Sequence, residues 1–226
     1  FDFAGYSAMA IGLGLMIGFQ FIENFNAPYS SRSITEFWRR WHISLSLWLR
    51  DYLYLPLGGN QLGAARTYFN LSLTMLLGGL WHGANWNFLL WGAWHGLWLA
   101  IERALGAKSE SSAWPALFAW PLTMTLVIIG WVMFRASTVT EALKMYAAMA
   151  GQNGWSVSNT IAWQIQPTEV TALILGGLIS VLGQKFAVST HQIPNTLRLA
   201  SNLSLLGMAC VALLAQSHPP FLYFQF

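Results

Sequence analysis

A long run without charged side chains constrains the fold of this chain more than any other feature. The 34 residues from Tyr68 to Ile101 include no Asp, Glu, Lys or Arg. A single straight helix of that length would measure about 51 Å, whereas the hydrocarbon core of a bilayer is roughly 30 Å thick. The run therefore predicts a strongly tilted helix or two apolar helices. The expected break is the segment Gly78 to Gly83, where three glycines weaken the helical backbone.

Composition extends this interpretation to the rest of the chain. Only 8% of the 226 residues are charged and 55% are hydrophobic, whereas about a quarter of the residues in a soluble domain are charged. We therefore expect an all-α, polytopic transmembrane protein. The Lys and Arg residues are scattered, which argues against a nucleic-acid-binding surface and fits the flanks of membrane helices. Further apolar windows that could span a membrane are Phe3 to Phe21, Trp114 to Phe134, Val170 to Leu182 and Leu199 to Ala215.

A second segment, Ser33 to Leu57, combines helical signals with a polar stripe. Ser33 and Glu36 form a capping-box pattern, which predicts the start of a helix. A helix with a polar stripe is expected to lie at the membrane interface or to line a polar cavity. The polar side chains recur every three or four residues, at Glu36, Arg39, His42, Ser46 and Arg50.

His82 is the strongest candidate for chemistry in this sequence. It lies near the middle of the charge-free run, between Trp81 and Gly83. Burial disfavours a charged imidazole, so we expect a lowered pKa and a neutral ring that can accept a proton as a general base. Asn85, three residues further on, would orient that ring if the segment were helical there. The alternative is a structural histidine that hydrogen-bonds to a backbone carbonyl.

Other residues carry weaker local signals. His42 lies on the polar stripe and, taken alone, is typical of a solvated interfacial histidine. His95 would face away from His82 on a continuous helix, and we interpret it as structural or interfacial. Trp81 belongs to a group of tryptophans that either pack helices together or form the wall of a tunnel for an acyl chain. No carboxylate or cysteine completes a ligand set with the histidines, so no metal is expected.

Several longer blocks of sequence carry a family resemblance. The two most specific blocks are the run from Ser33 to Asn60 and the segment from Gly79 to Gly96. Both resemble the membrane-bound O-acyltransferases, and most of all the members that take part in alginate O-acetylation. The resemblance continues at Gly130 to Ala136 and in the closing segment Pro220 to Phe226.

The resemblance implies an enzyme that moves an acyl group from a thioester donor to a hydroxyl acceptor. His82 takes the position of the family's catalytic histidine, and His42 takes a second functional position. The implied architecture places re-entrant or interfacial helices around a central tunnel. The implied donor substrate is acetyl-CoA or another acetyl thioester, without a bound cofactor. The remaining substrate-binding candidates are Arg39, Arg40, Arg50, Trp81 and Asn85, the arginines as partners for donor phosphates.

The resemblance also implies a cellular setting. The acetyl group would cross the bacterial inner membrane, in which the protein is embedded by several passes, to a periplasmic acetyltransferase or another polysaccharide-modifying partner. Family members usually have a comparable membrane region ahead of the part matched here. We therefore expect residues 1–226 to form the C-terminal catalytic half of one membrane domain, with the N-terminal half absent.

Three alternatives remain open at this point. A transporter or channel would carry ionisable groups along several helices, often in paired repeats, and no repeat is visible here. A sister enzyme would transfer a different acyl group, such as D-alanine to teichoic acid. A non-catalytic scaffold for a periplasmic acetyltransferase is the third alternative, and the presence of both His42 and His82 argues against it.

Overall fold

The computed structural model describes residues 2–106, 114–154, 167–182 and 194–215, and these residues are mainly helical. Short turns precede and follow the first interior helices: a 3₁₀ turn at Pro28–Ser30 and a π-helical turn at Arg50–Tyr54. The α-helices are α1 (Asp2–Met16), α2 (Ile34–Arg40), α3 (Ile43–Leu49), α4 (Ala64–Trp81), α5 (Trp86–Ala104), α6 (Ala116–Arg135), α7 (Val139–Met149), α8 (Pro167–Leu182) and α9 (Asn195–Ala215).

The chain divides into two compact units. One comprises Ile22–Val181, and the other comprises Phe1–Phe21 together with the chain from Leu182 onward. The first of these units holds all of the candidate site residues. Within the described residues, α6 is the one helix both long and apolar enough to cross a membrane, with a mean hydropathy of 1.9, while Phe3–Met16 and Val170–Ile179 are apolar but shorter.

Helices α4 and α5 form the centre of the larger unit, and glycines bring their backbones close together. A Cβ atom on Gly79 would lie 2.2 Å from the carbonyl oxygen of Phe88, and one on Gly92 would lie 2.3 Å from that of Met75. Neither glycine can therefore carry a side chain without moving a backbone. Small residues at such spacing are the usual way in which membrane helices approach each other.

Helix α6 packs on the other side of α5 and leaves room for two rings of α5, those of Trp94 and His95. The indole Nε1 of Trp94 donates a hydrogen bond to the carbonyl oxygen of Leu126 at 2.9 Å. A Cβ atom on Gly130 would lie 2.9 Å from Nε2 of His95. The apolar core beside this contact is formed by Ile34, Phe37, Leu126 and Val127, so α2 completes the layer.

A buried carboxylate joins the end of α5 to the start of α2. Glu102 is 0% exposed, and its two oxygens accept hydrogen bonds from the backbone N–H of Ile34 at 2.7 Å and of Thr35 at 2.9 Å. The hydroxyl of Thr35 donates a third bond at 2.8 Å. The first N–H groups of a helix have no partner within it, and they carry partial positive charge. Glu102 thus fixes the position of α2 through both hydrogen bonding and charge.

The predicted all-α class is confirmed, and the structure divides the charge-free run as expected. Helix α4 ends at Trp81 and α5 begins at Trp86, so the break begins within the Gly78–Gly83 segment, at His82, and extends to Asn85. Ser33 is the N-cap of α2, and its hydroxyl accepts from the N–H of Glu36 as predicted. The closing block of the family resemblance lies outside the described residues.

One helix prediction is wrong. The polar stripe was expected to follow a single helix through His42, but the chain leaves the helix there, between α2 and α3. The backbone of His42 adopts φ 46° and ψ 55°, in the left-handed region. The stripe is therefore split, and the side chains before His42 do not continue on the face that carries Ser46 and Arg50.

Candidate active site

His82 lies where α4 ends, enclosed by aromatic rings. It is the C-cap residue of α4, and its backbone N–H reaches the carbonyl oxygens of Gly79 and Leu80. Its half-buried imidazole has four aromatic neighbours, which we call the His82 cage. The distances between ring centroids are 4.9 Å to Phe134, 5.0 Å to Trp81, 5.3 Å to Trp91 and 6.2 Å to Phe88.

The loop between α4 and α5 is attached to the end of α6. The side-chain nitrogen of Asn85 donates to the carbonyl oxygen of Ser137 at 3.1 Å, and that of Asn87 donates to the carbonyl oxygen of Ala136 at 2.5 Å. The side-chain oxygen of Asn85 also caps α5 by accepting from the N–H of Asn87. These bonds hold Phe134, one turn earlier on α6, against the His82 ring.

The expectation that Asn85 orients the imidazole of His82 is wrong. It required a helical turn from 82 to 85, whereas this segment is a loop with Gly83 at φ 157°. The side-chain amide of Asn85 is used for the helix cap and for the bond to Ser137. A role for Asn85 in substrate binding stays a prediction.

The left-handed backbone of His42 is held by the segment from Asn24 to Asn26, which forms hydrogen bonds with the chain before and after His42. The N–H of Asn26 donates to the carbonyl oxygen of Arg40, and the N–H of Ile43 donates to the carbonyl oxygen of Asn24. The side-chain oxygen of Asn24 accepts two further bonds, from the N–H and the hydroxyl of Ser44. A left-handed backbone costs roughly 1–2 kcal/mol in a residue with a Cβ atom, so the surrounding bonds must hold it in place.

The two candidate histidines meet at Trp81. The ring of Trp81 is close to perpendicular to both imidazoles. Its centroid lies 5.0 Å from that of His82 and 6.0 Å from that of His42. The histidines are close enough for a charge on one to act on the other. Trp81 itself is 60% exposed, so this group of three side chains opens to the surface of the described chain. The fold thus brings together two histidines that are 40 positions apart in the sequence.

His42 is arranged to remain neutral. It lies between two helices of seven residues, which are too short to span a bilayer, and its side chain is only 8% exposed. Burial lowers the pKa of its imidazole to about 4, although a backbone hydrogen bond opposes this effect. Above about pH 5 the ring is neutral and can donate one hydrogen bond and accept another.

The predicted arginines are engaged in other interactions. Arg40 forms an ion pair with Glu36 at 2.9 Å, and Arg50 forms a two-bond pair with Asp51 at 2.7 and 3.1 Å. Arg39 is exposed on α2. To bind a donor phosphate, Arg40 and Arg50 would have to exchange these carboxylates for it. Their role as phosphate ligands stays a prediction.

Two buried residues lie near the site: His95, interpreted from the sequence as structural or interfacial, and Glu102, which was missed from the sequence. His95 is 1% exposed, and its ring contacts Trp91 at 5.1 Å, so Trp91 lies between His95 and His82. Glu102 supports α2, the helix that leads into His42. A signal for Glu102 existed, because an acidic residue directly after a long charge-free run must find a buried partner or reach water.

The sequence and this geometry agree with one enzyme family. The profile of the family described as MBOAT, membrane-bound O-acyltransferase, matches residues 1–134. The chain belongs to this family. That span contains α2 to α5 and both candidate histidines, so the MBOAT match covers the candidate site itself, and the chain is a membrane protein.

Individual relatives extend the similarity over the whole chain. A protein of Pseudomonas putida named probable alginate O-acetylase AlgI is 48% identical and covers 100% of this chain and 50% of its own length. The protein of the same name from Pseudomonas aeruginosa is 58% identical over 79% of this chain and 34% of its own length. A peptidoglycan O-acetyltransferase of Helicobacter pylori is 45% identical over 70% of this chain and 30% of its own length.

The matches cover a larger share of this chain than of the relatives' own lengths. This chain spans about half the length of the curated relative that it matches from end to end. The match includes the segments of this chain that hold His42, Trp81 and His82.

Proposed function

We propose that this MBOAT chain is the catalytic part of an O-acetyltransferase that serves the O-acetylation of an exopolysaccharide of the alginate type. The observation that supports this most directly is the convergence of His42 and His82 on one exposed ring, Trp81, at the junction of α4 and α5. The names of the two Pseudomonas relatives described above add to it, since both are named probable alginate O-acetylase.

The proposed reaction uses His82 as a general base. The acceptor hydroxyl attacks the carbonyl carbon of an acetyl thioester while its proton passes to the imidazole of His82. The carbon–sulfur bond then breaks, and the proton held by His82 passes to the departing thiolate. The neutral His42 positions the acceptor or donates a hydrogen bond to the oxyanion of the tetrahedral intermediate. Trp81, between the two, forms the wall against which the reacting groups lie.

The donor, partners and surroundings are part of the same proposal. Acetyl-CoA or another acetyl thioester would supply the acetyl group, with Arg39, Arg40 and Arg50 as ligands of its phosphates on the cytoplasmic side, once Arg40 and Arg50 have exchanged their carboxylate partners for them. The protein would lie in the bacterial inner membrane in several passes, around a central tunnel, and would serve a periplasmic acetyltransferase or another polysaccharide-modifying partner. Residues 1–226 would form the C-terminal catalytic half of this membrane domain.

Two alternatives are less well supported. Transfer of D-alanine is disfavoured because the most similar relatives above are named as O-acetylases. A non-catalytic scaffold or an acyl transporter gives no reason to maintain a strained left-handed backbone at His42 beside a second histidine. Strain of this kind usually persists where a side chain must be held in one functional position.

The decisive experiment replaces His82 with Ala in the complete gene product that contains this chain. The host would be a bacterial strain without its own O-acetylase, and the readout would be ester-bound acetate on its exopolysaccharide. We expect acetylation to fall by at least about 100-fold, because loss of a general base costs about 10² to 10⁴ in rate.

The control is Trp86→Phe in the same gene, because this exposed residue lies four positions away and outside the His82 cage. Both variants should reach the membrane at the level of the unsubstituted protein in an immunoblot. If the His82→Ala cells still acetylate their polysaccharide fully, acyl transfer by His82 is ruled out and the scaffold interpretation takes its place.

A further inference from the structure

The His82 cage has an electrostatic property that its packing role alone does not require. In the described part of the chain, no Asp or Glu forms a hydrogen bond or an ion pair with His82, although a general base becomes a cation when it takes a proton. Many enzymes place a carboxylate beside the histidine for this purpose. The neighbours of His82 are instead the rings of Trp81, Trp91, Phe134 and Phe88.

Aromatic faces are partly negative and attract cations within about 6 Å of the ring centroid. The centroids of three of the four rings lie within that distance of the imidazole centroid, at 4.9, 5.0 and 5.3 Å, and the rings are steeply inclined to the imidazole, at 79° or 89°, which allows an N–H at the imidazole edge to point at a ring face. Phe134 also contacts Trp91 at 5.3 Å and Phe88 at 5.1 Å. The rings therefore hold one another in place around His82.

The end of α4 adds a second source of negative potential. His82 is the C-cap of an 18-residue helix, and the carbonyl end of a helix carries partial negative charge. A cation at such a position is stabilised, most strongly when it is partly buried. Helix end and aromatic rings thus act in the same direction on one imidazole.

We propose that the His82 cage, together with the end of α4, stabilises the imidazolium that forms when His82 accepts a proton, in place of a carboxylate. Phe134 and Trp91 act through His82 and are therefore positioning residues, whereas Trp81 also contacts the reacting groups in the proposed reaction. Burial disfavours the imidazolium, and the rings offset part of that cost when His82 takes the proton from the acceptor hydroxyl. This inference rests on the proposed function, in which His82 is the base.

The test uses a series of phenylalanine analogues at position 134 of the complete gene product. One, two and three fluorine atoms withdraw electron density from the ring face stepwise and change its shape little. We expect the logarithm of the initial rate of polysaccharide acetylation to fall in proportion to the number of fluorines, with a total loss of about tenfold at three. Protein in the membrane is measured for each variant, so that the rates are compared per enzyme.

A matched control comes from a second ring that also contacts a cation. The guanidinium of Arg66 lies 5.2 Å from the ring centroid of Phe69, on the exposed side of α4. The same analogues at position 69 should leave the rate unchanged. Phe134→Leu keeps an apolar side chain without a ring and should be slower than the trifluoro variant.

The outcomes separate this inference from the proposed function. A flat series at position 134 with an inactive His82→Ala variant would show that the rings only pack, and it would overturn the charge-stabilising role. Full acetylation by His82→Ala would overturn the base itself. An equal decline at positions 69 and 134 would also contradict the inference, because it would trace the loss to fluorination in general.

Discussion

The two histidines of the candidate site are positioned by opposite means. His42 is held by polar backbone bonds to an extended segment, in a left-handed conformation that its residue type disfavours. His82 has an ordinary right-handed backbone and is positioned by glycine contacts and by rings. One site thus combines a residue with a strained backbone held by hydrogen bonds, His42, and a residue with an unstrained backbone held by packing, His82. Each should respond to a different kind of substitution.

The largest effect is expected from disturbing the packed side. In Gly92→Ala, the added Cβ atom would lie 2.3 Å from the carbonyl oxygen of Met75, so α4 and α5 must separate. We expect a loss of about 3 kcal/mol in the free energy of unfolding, together with most of the acetylation. Thermal unfolding of the purified protein in detergent measures the first, and polysaccharide-bound acetate measures the second.

Gly12→Ala is the matched control, because nothing lies within 4 Å of a Cβ atom at that helical position. It should leave stability unchanged or raise it by less than about 1 kcal/mol. Unaltered unfolding of Gly92→Ala would contradict the view that close backbone approach positions His82.

An intermediate effect is expected on the hydrogen-bonded side from Glu102→Ala. The substitution leaves the buried N–H groups of Ile34 and Thr35 without their acceptor, at a cost of about 2 kcal/mol. Because α2 leads into His42, acetylation should fall as well. Glu102→Gln retains the shape and one acceptor oxygen and should recover part of both losses, as read from the same melting and acetate measurements.

The comparison for Glu102 is Glu141, whose exposed carboxylate accepts from the N–H of Ser137 at the start of α7. Removing that side chain should cost less than about 1 kcal/mol, since water replaces the lost acceptor. If removal of either glutamate side chain lowered the free energy of unfolding equally, the burial of Glu102 would contribute nothing to the strength of its hydrogen bonds.

The smallest expected effect is on stability: the order of the Gly and Ala variants should be opposite at positions 42 and 82. At position 42, Gly should give a protein more stable than Ala by about 1 kcal/mol, because glycine adopts φ 46° without strain. At position 82, where φ is −76°, Ala should be the more stable by up to about 1 kcal/mol. All four variants should be inactive, so the measurement is unfolding in detergent. The same preference at both positions would refute the contrast.

Local patterns in the sequence were sufficient for some of these features. The glycines before His82 predicted the break between α4 and α5, and the serine at 33 predicted the start of α2. Both depend on residues within a few positions of the feature. His82 was predicted as a base from its place in the charge-free run, and His42 as a second functional residue through the family resemblance.

Features that depend on distant parts of the chain could not be predicted in this way. The break at His42 has no glycine or proline to announce it, and it is imposed by pairing with the segment around Asn24 and Asn26. Asn85 was expected to face His82, but its amide reaches Ser137, a residue 52 positions away. Tertiary hydrogen bonds overrode the local expectation in both cases.

The bond between Glu102 and the start of α2 also has a consequence for biosynthesis. The two partners are 68 residues apart, and a chain grows at about 5–20 residues per second. For roughly 3–14 seconds the first turn of α2 is thus made while its permanent acceptor does not yet exist. During that interval its N–H groups need water or headgroup oxygens, so α2 must wait at the surface of the bilayer until α5 arrives. The order of assembly is then set by the position of a single carboxylate in the gene.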